Sequence, residues 1–563
     1  MKNRIYFLMA PLVFAFSCLY LLPFINLYQG GDEGYLLTGA QRILRGEAIY
    51  RDFYHFLAPG AFIFLALLFK LLGVHFWVVR LAALFTGALL AALTYLLAEK
   101  LLQNRYLALL PPFMVLVAGF PDWFLYSHHW LSSLLALMAV YLLVRGEEAV
   151  FYPAEENAAR PGKARGLYFA AGLCAALSLA VMQSKGLLLL LALGAYLWFF
   201  SPRPKFNFKS YLLGALSGLA LLFFYLLWLG TLKGFFYYTL LWPFTHYTRA
   251  NAVPYFNLGK DFLWQSWSLL KQALLHPTPQ NLLSSVFYLS EIFFLAVLGY
   301  LSILALAAAF IRGLKARRKK AEREGSLLCL YASAAFAFFL SSGHRPDILH
   351  FIYGASLPLI LFFYFMQKGI AASGLLRRDP RPRILSALGG LALVLMIVFL
   401  GINTLARGED NLLKRFRQPH YAIEDPKGRQ WTDIAGYAQD YNFLMSFMKG
   451  RLGPREPFIV MHYQPIIYFF LDAYNPTDTD YFYPEHNSEE QLNRILETIR
   501  QQRIRYILKD DFIEGILSGK DAAAYPYADP EVYKQEPVNR YLEGNYQPVL
   551  TLNHFTLYER KQP

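Results

Sequence analysis

The chain has 563 residues, 56% of them hydrophobic and only 16% charged, and a mean hydropathy of +0.32. Water-soluble proteins carry about 25% charged residues, so a fully soluble enzyme is excluded. The formal charge of +14 is unevenly placed, with a net +18 over residues 1–404 and −4 over residues 405–563; this sets nucleic acid aside, because its binders present a basic face on a soluble module.

Apolar runs of roughly the 20 residues needed to cross a bilayer recur through the first 404 residues. Eleven spans are expected, at 5–26, 77–98, 106–121, 126–144, 166–183, 186–200, 210–229, 285–311, 326–341, 349–366 and 385–404. Residues 58–73 are apolar but short and contain Lys70, and are read as an interfacial or re-entrant helix. The basic start Met1-Lys2-Asn3-Arg4 precedes an apolar run without a small-residue cleavage site, so the first span is read as retained. Cys18, Cys174 and Cys329 lie far apart in apolar stretches, which fits neither a disulfide framework nor a zinc pattern.

Cytoplasmic loops of membrane proteins collect Lys and Arg. With the N-terminus inside, the inner segments hold 23 Lys and Arg and the outer ones 10. Counting 58–73 as a span would put Arg317-Arg318-Lys319-Lys320 outside. The chain is therefore read as a multi-pass protein of the inner (plasma) membrane, with a transmembrane domain over 1–404 and an extracytoplasmic α/β domain over 405–563. In the latter, Pro457–Met461 and Ile504–Leu508 are expected as strands, Glu489–Gln502 as an amphipathic helix, and Val549–Leu552 with Phe555–Tyr558 as a hairpin. No P-loop, GxGxxG or HExxH occurs, which disfavours an ATP-driven pump or a membrane zinc protease.

This topology gathers polar residues at the outer face. They are Asp32-Glu33 with Tyr35, Asp52 and His55 in the first loop, His128-His129 in the next turn, and Lys185 between two spans. Trp242, His246 and Arg249 follow in the loop 230–284, and Arg345, Asp347 and His350 in the last outer turn. Ionisable groups at such depths suggest function. Each also has a plainer reading: Asp32-Glu33 as a helix N-terminus, Lys185 reaching for headgroups, His128-His129 as interface residues, Arg345–Asp347 as a paired turn, the aromatics as an interfacial belt.

A carboxylate beside cations and histidines suits attack by a hydroxyl on a substrate that leaves as a phosphate. The carboxylate takes the proton and Lys and Arg stabilise the phosphate. Without a nucleotide motif, the phosphate is expected on a lipid. Lys185, Arg345, His350 and His128 are the candidates for holding it. Tyr35, Asp52, His55, His129, Trp242, His246 and Arg249 are candidates for lining the substrate.

The runs Asp32-Glu33-Gly34-Tyr35, Gly46-Glu47-Ala48-Ile49-Tyr50-Arg51-Asp52-Phe53-Tyr54-His55, Pro59-Gly60, Leu72-Gly73 and Arg80-Leu81 resemble the N-terminal signature of GT-C membrane glycosyltransferases. These include dolichyl-phosphate-mannose protein mannosyltransferases and bacterial lipid A aminoarabinose transferases. Ser184-Lys185-Gly186 and Arg345-Pro346-Asp347 with His350 are similar to later motifs of the bacterial branch. The resemblance implies a GT-C-like helical membrane fold with an extracytoplasmic α/β domain. It implies an inverting transferase that moves one sugar from a polyprenyl-phosphate donor to a glycan, lipid or protein acceptor. It gives Asp32 as catalytic base and Glu33 as its acidic neighbour; Asp52, in the same loop, is the alternative base. Leu57-Ala58-Pro59-Gly60 departs from the Lys and double Pro of the aminoarabinose branch, and the acidic motifs of metal-dependent oligosaccharyltransferases are missing from the sequence. No metal or cofactor is expected. The alternative is a transporter or flippase for a lipid-linked glycan, which would favour internal repeats and mid-membrane broken helices.

Overall fold

The computed structural model describes residues 2–28, 30–102, 104–120, 123–151, 161–201, 204–247, 260–278, 281, 285, 300–318, 322–343, 348–372, 401, 412–417, 420–453, 455–480, 482, 487–511 and 537–562. Helices follow most of the apolar runs. The first is α1 (Lys2–Leu21), then α2 (Asp32–Leu44), α3 (Gly60–Leu72), α4 (Phe76–Leu102), α5 (Leu110–Gly119), α6 (His128–Phe151), α7 (Pro161–Val181), α8 (Gln183–Phe199) and α9 (Pro204–Trp228). After the short α10 (Leu232–Phe236) and α11 (Lys260–Leu275), the bundle continues with α12 (Ser302–Arg318), α13 (Glu322–Ser341), α14 (Ile348–Ile352) and α15 (Ser356–Ala372). Among the described residues, five helices are long and apolar enough to cross a membrane: α4, α6, α7, α9 and α13. The shorter α1, α5 and α8 also cover expected spans. The span expected at 385–404 lies outside the described residues apart from residue 401, as does most of 285–299. The 13 residues of α3 reach about 20 Å at 1.5 Å per residue, short of the roughly 30 Å hydrocarbon core.

Charged and histidine side chains gather at the two ends of this bundle. At one end are His128 at the start of α6 and Lys185 at the start of α8. At the other, Glu147 near the end of α6 accepts from Tyr196 of α8 (2.5 Å) and Ser326 of α13 (2.6 Å). The 19-residue step from His128 to Glu147 along one helix spans about 28 Å, close to the thickness of the hydrocarbon layer. The second end also carries Lys100, Arg145 and Arg323 around Glu148. It thus contains the basic loops assigned by charge to the inner side.

The C-terminal segment is α/β. Its helices are α16 (Leu412–Arg417), α17 (Ala435–Met448), α18 (Ile466–Leu471), α19 (Glu489–Gln501) and α20 (Pro537–Asn545). A hairpin pairs β1 (Tyr421–Ile423) with β2 (Gln430–Thr432). A four-stranded sheet follows, built from β3 (Phe458–Val460), β4 (Tyr506–Asp510), β5 (Tyr546–Thr551) and β6 (Phe555–Arg560), in the order β3-β4-β6-β5. β3 and β4 are parallel and the other pairings antiparallel. The expected strands, amphipathic helix and terminal hairpin all form; α19 is opened by a capping box between Ser488 and Gln491. Alternation along the strands splits the core. Phe458, Val460, Tyr506, Leu508, Phe555 and Leu557 join the core that continues into the helical bundle. Ile459, Met461 and Ile507 face α19 and α20 instead.

The C-terminal segment is anchored to the first loop along one face of α2. Thr38 Oγ1 donates to the Pro465 carbonyl (2.8 Å). Arg42, buried, donates to Asp480 (2.7 Å), Glu47 (2.7 Å) and the Thr477 carbonyl (2.9 Å). Arg45 pairs with Asp472 (2.9 Å). Residues 38, 42 and 45 recur at helical spacing. Further ties run from Tyr28 to Trp431 and Tyr441, from the Tyr54 amide to the Asp478 carbonyl, and from the Phe76 amide to the Lys427 carbonyl.

Candidate active site

The helix α2 begins at Asp32, and its first turn carries both Asp32 and Glu33. Acids there are favoured by the unsatisfied amides and the helix dipole, so the plainer reading of this pair holds locally. Beyond that the two carboxylates diverge. Glu33 has no exposed side-chain surface and pairs with the equally enclosed Arg80 of α4 at 2.9 Å. Its Oε1 accepts the Tyr126 amide at 3.0 Å. Burial pushes the Glu33 carboxyl up, opposed by Arg80. Arg80 also donates to the Phe124 and Leu27 carbonyls and lies 4.5 Å over the Phe76 ring. Glu33 therefore fastens the helix entry to α4 and the 124–126 turn. Asp32 is half-buried, takes part in no ion pair among the described residues, and accepts a hydrogen bond from the Tyr463 hydroxyl.

Asp52, in the same loop, is held by partners of its own. Its Oδ2 accepts the Ala48 amide (2.7 Å), and Arg51 binds both its oxygens (2.9 and 2.7 Å). The hydrogen bonds from Arg51 hold its carboxyl below the ordinary aspartate range. It closes its own turn. Glu47, the loop's remaining acid, is bound to Arg42.

Tyr35 lies one turn on from Asp32, on the same face of α2, and leads into a histidine and lysine cluster. Its hydroxyl is 3.4 Å from His128 Nδ1 and its ring 4.8 Å from that of His55. The His128 and His129 rings lie 4.1 Å apart and tilted, and His129 meets His350 edge-on at 5.4 Å and Tyr353 face-on at 4.3 Å. Lys185 Nζ donates to Ser133 Oγ (2.7 Å) and the His129 carbonyl (3.3 Å). Lys185 is only 2% exposed, so it does not reach for headgroups. The Phe338 ring lies 5.9 Å from Nζ.

His55 is buried, and its Nδ1 accepts the Leu57 amide (3.1 Å), which puts its proton on Nε2. Burial lowers it to about 3, so it is neutral at physiological pH. It packs among Tyr35, Phe56 and Phe62 as a wall of the cluster.

Trp242 and His246 stack nearly parallel at 3.7 Å, and Trp242 meets Tyr54 at 5.3 Å. Gln183, which the sequence did not single out, joins this group to the first one. Its amide donates to the Phe56 and Thr239 carbonyls (2.7 and 3.3 Å), and its Oε1 accepts the Ala58 amide (3.1 Å). Of the expected site residues, Tyr35, His55, His128, His129, Lys185 and His350 thus converge, with Asp32 one turn before Tyr35 on α2 and Trp242 and His246 joined to them through Gln183. Glu33 and Asp52 are held by partners of their own. Arg345 and Arg249 lie outside the described residues, as does Asp347. Sequence reasoning gave Arg80 only as part of the family signature, without a site role, and missed Tyr353 and Tyr463. Arg80, an ionisable residue at a span edge, carried a readable signal. Tyr463 follows the carboxyl end of β3, where α/β sheets place ligand-contacting loops.

At the level of sequence, no family model and no curated protein matches the chain. Solved structures do. ArnT from Cupriavidus metallidurans bound to undecaprenyl phosphate superposes with a TM-score of 0.53 at 12% identity, covering 99% of this chain and 98% of that one. The archaeal oligosaccharyltransferase AglB from Archaeoglobus fulgidus, in complex with an inhibitory peptide and a dolichol-phosphate, gives 0.53 at 11% identity, over 97% of this chain and 74% of the other. The chain has the GT-C fold. The similarity runs through both the helical bundle and the α/β segment, as the first-loop resemblance implied.

Proposed function

We propose that the chain is an inverting glycosyltransferase that moves a single sugar from a polyprenyl-phosphate donor to a glycan, lipid or protein acceptor at the outer face of the membrane. The observation that carries this is the fate of the first loop's four carboxylates. Glu33, Glu47 and Asp52 are each bound to an arginine. Asp32 alone, half-buried, pairs with no cation among the described residues, and it lies one turn of α2 from Tyr35, which contacts His128.

Asp32 takes the proton of the acceptor hydroxyl as that hydroxyl attacks the anomeric carbon. Lys185, His128 and His350, together with Arg345, hold the phosphate that leaves on the opposite side of the sugar. A single base suffices for inversion, whereas a covalent intermediate would want a second carboxylate beside it. Glu33, enclosed with Arg80, is not available for that. The carriers bound to the two structural neighbours, undecaprenyl phosphate and dolichol-phosphate, are of the class proposed here.

The test is incubation of the purified protein with a panel of polyprenyl-phosphate sugars and a membrane extract as acceptor source. Release of polyprenyl phosphate with transfer of the sugar supports the reading. Translocation of a lipid-linked glycan across proteoliposomes without cleavage would replace it with the flippase.

A further inference from the structure

The C-terminal segment reaches the proposed base directly. Tyr463 donates its hydroxyl to Asp32 Oδ1 across 431 positions of sequence. This contact is built in. Residues 462–466 lie along the first turns of α2, and two glycines make room for them. A Cβ on Gly31, itself at φ +48°, would meet the Tyr463 ring at 2.9 Å; one on Gly34 would meet the Ile466 amide nitrogen at 2.6 Å. Both separations are below any real Cβ contact.

The loop is also fixed from its own side. His462 is buried and left-handed at φ +71°, and its carbonyl accepts the Phe482 amide (3.1 Å). Gln464 is bonded to Tyr441 (3.1 Å) and Tyr437 (3.0 Å), and the Pro465 carbonyl to Thr38 (2.8 Å). Every residue flanking Tyr463 is tied down, so its hydroxyl is presented to Asp32 by a rigid frame. A carboxylate has two oxygens and about four acceptor positions. Occupation of Oδ1 fixes the rotation of the group and leaves Oδ2 as the atom with a defined direction.

We propose that Tyr463 is a positioning residue for transfer: it aims the Asp32 carboxylate, so the C-terminal segment is part of the active site and not only a docking module for acceptors. This rests on Asp32 being the base. The remaining carboxylate oxygen takes the acceptor proton while the Tyr463 hydroxyl keeps its own.

The experiment is steady-state transfer by the full-length protein carrying Tyr463→Phe, which removes the hydroxyl and keeps the ring. Misplacement of a reacting group by about 1 Å costs on the order of 10²-fold. The expected result is a kcat lowered about 10- to 100-fold, with donor KM, donor binding and thermal midpoint close to wild type. Thr38→Val, one loop contact removed and distant from the chemistry, should lower kcat less and with the same unchanged KM. Wild-type kcat in Tyr463→Phe, or a loss explained by a lower thermal midpoint in both variants, would overturn the proposal. Asp32→Asn run in parallel separates the two readings. If Asp32→Asn is dead and Tyr463→Phe is normal, only the positioning role fails. If Asp32→Asn transfers normally, the base assignment fails as well.

Discussion

Glu33 and Arg80 form an ion pair 2.9 Å apart, with no exposed side-chain surface on either partner. The pair joins the first residues of α2 to α4 directly behind the proposed base, so its integrity sets where Asp32 sits. Removing one member of such a pair strands a buried charge and costs about 3–5 kcal/mol. Arg80→Gln should therefore lower the thermal midpoint in detergent sharply. Adding Glu33→Gln to it should recover part of the loss, because no charge is then left unpaired. A double variant worse than Arg80→Gln alone would contradict this account of the pair.

The buried His55 gives the first loop a pH dependence. Its ordinary value of 6.5 is lowered to about 3 in the fold by burial. Below pH 6.5 the unfolded chain takes up a proton that the folded loop does not, so this contribution is complete above 6.5 and fades as pH falls. At pH 5 the loss amounts to about 2 kcal/mol. His55→Asn keeps an acceptor for the Leu57 amide and removes the titration. The drop in thermal midpoint between pH 7 and 5 should be smaller in this variant than in wild type; equal drops would show that His55 is not its source.

Lys185 is enclosed between α6 and α8, facing the histidines. A charge-assisted hydrogen bond contributes roughly 1.5–3 kcal/mol, so Lys185→Met should weaken donor binding or slow transfer by about 10- to 150-fold at 1.4 kcal/mol per tenfold. Arg345→Ala should act in the same direction. Titration of detergent-solubilised protein with a polyprenyl phosphate reads this, and unchanged affinity in both variants would move the phosphate elsewhere.

Orientation is tested by labelling. In a background lacking Cys18, Cys174 and Cys329, single cysteines at Asn493 in the C-terminal segment and at Lys315 near the basic end of α12, both exposed, should differ. An impermeant thiol reagent applied to intact cells should modify position 493 and spare position 315. The reverse pattern would invert the topology and put Asp32 on the wrong side for an outer-face donor.

Much of this was readable from local pattern. Hydropathy located α4, α6, α7 and α9. Acids ahead of Tyr35 marked the start of α2, and alternation marked β3, β4 and the β5–β6 hairpin. The convergence of His128, Lys185 and His350 was legible because a helix long enough to cross a bilayer sends its ends to opposite faces. The roles of individual carboxylates were not. Glu33 and Asp32 are neighbours in sequence, and only the arrival of Arg80, 47 residues later, separates them. Nor does pattern show that Asp52, the alternative base, accepts hydrogen bonds from Arg51 and the Ala48 amide. Tyr463 bears on Asp32 through tertiary docking alone, for which hydrophobic periodicity carries no signal.

The central claim is that Asp32 is the base of a sugar transfer. Asp32→Asn keeps the shape and the hydrogen-bond acceptor for Tyr463 while removing the basicity, and a general base contributes about 10²–10⁴-fold. The decisive measurement is single-turnover transfer from a bound polyprenyl-phosphate sugar by Asp32→Asn and Asp52→Asn. The account predicts a loss of that size for Asp32→Asn with donor affinity intact, and a much smaller effect for Asp52→Asn. An active Asp32→Asn beside an inactive Asp52→Asn would hand the role to Asp52; full activity in both would contradict the account.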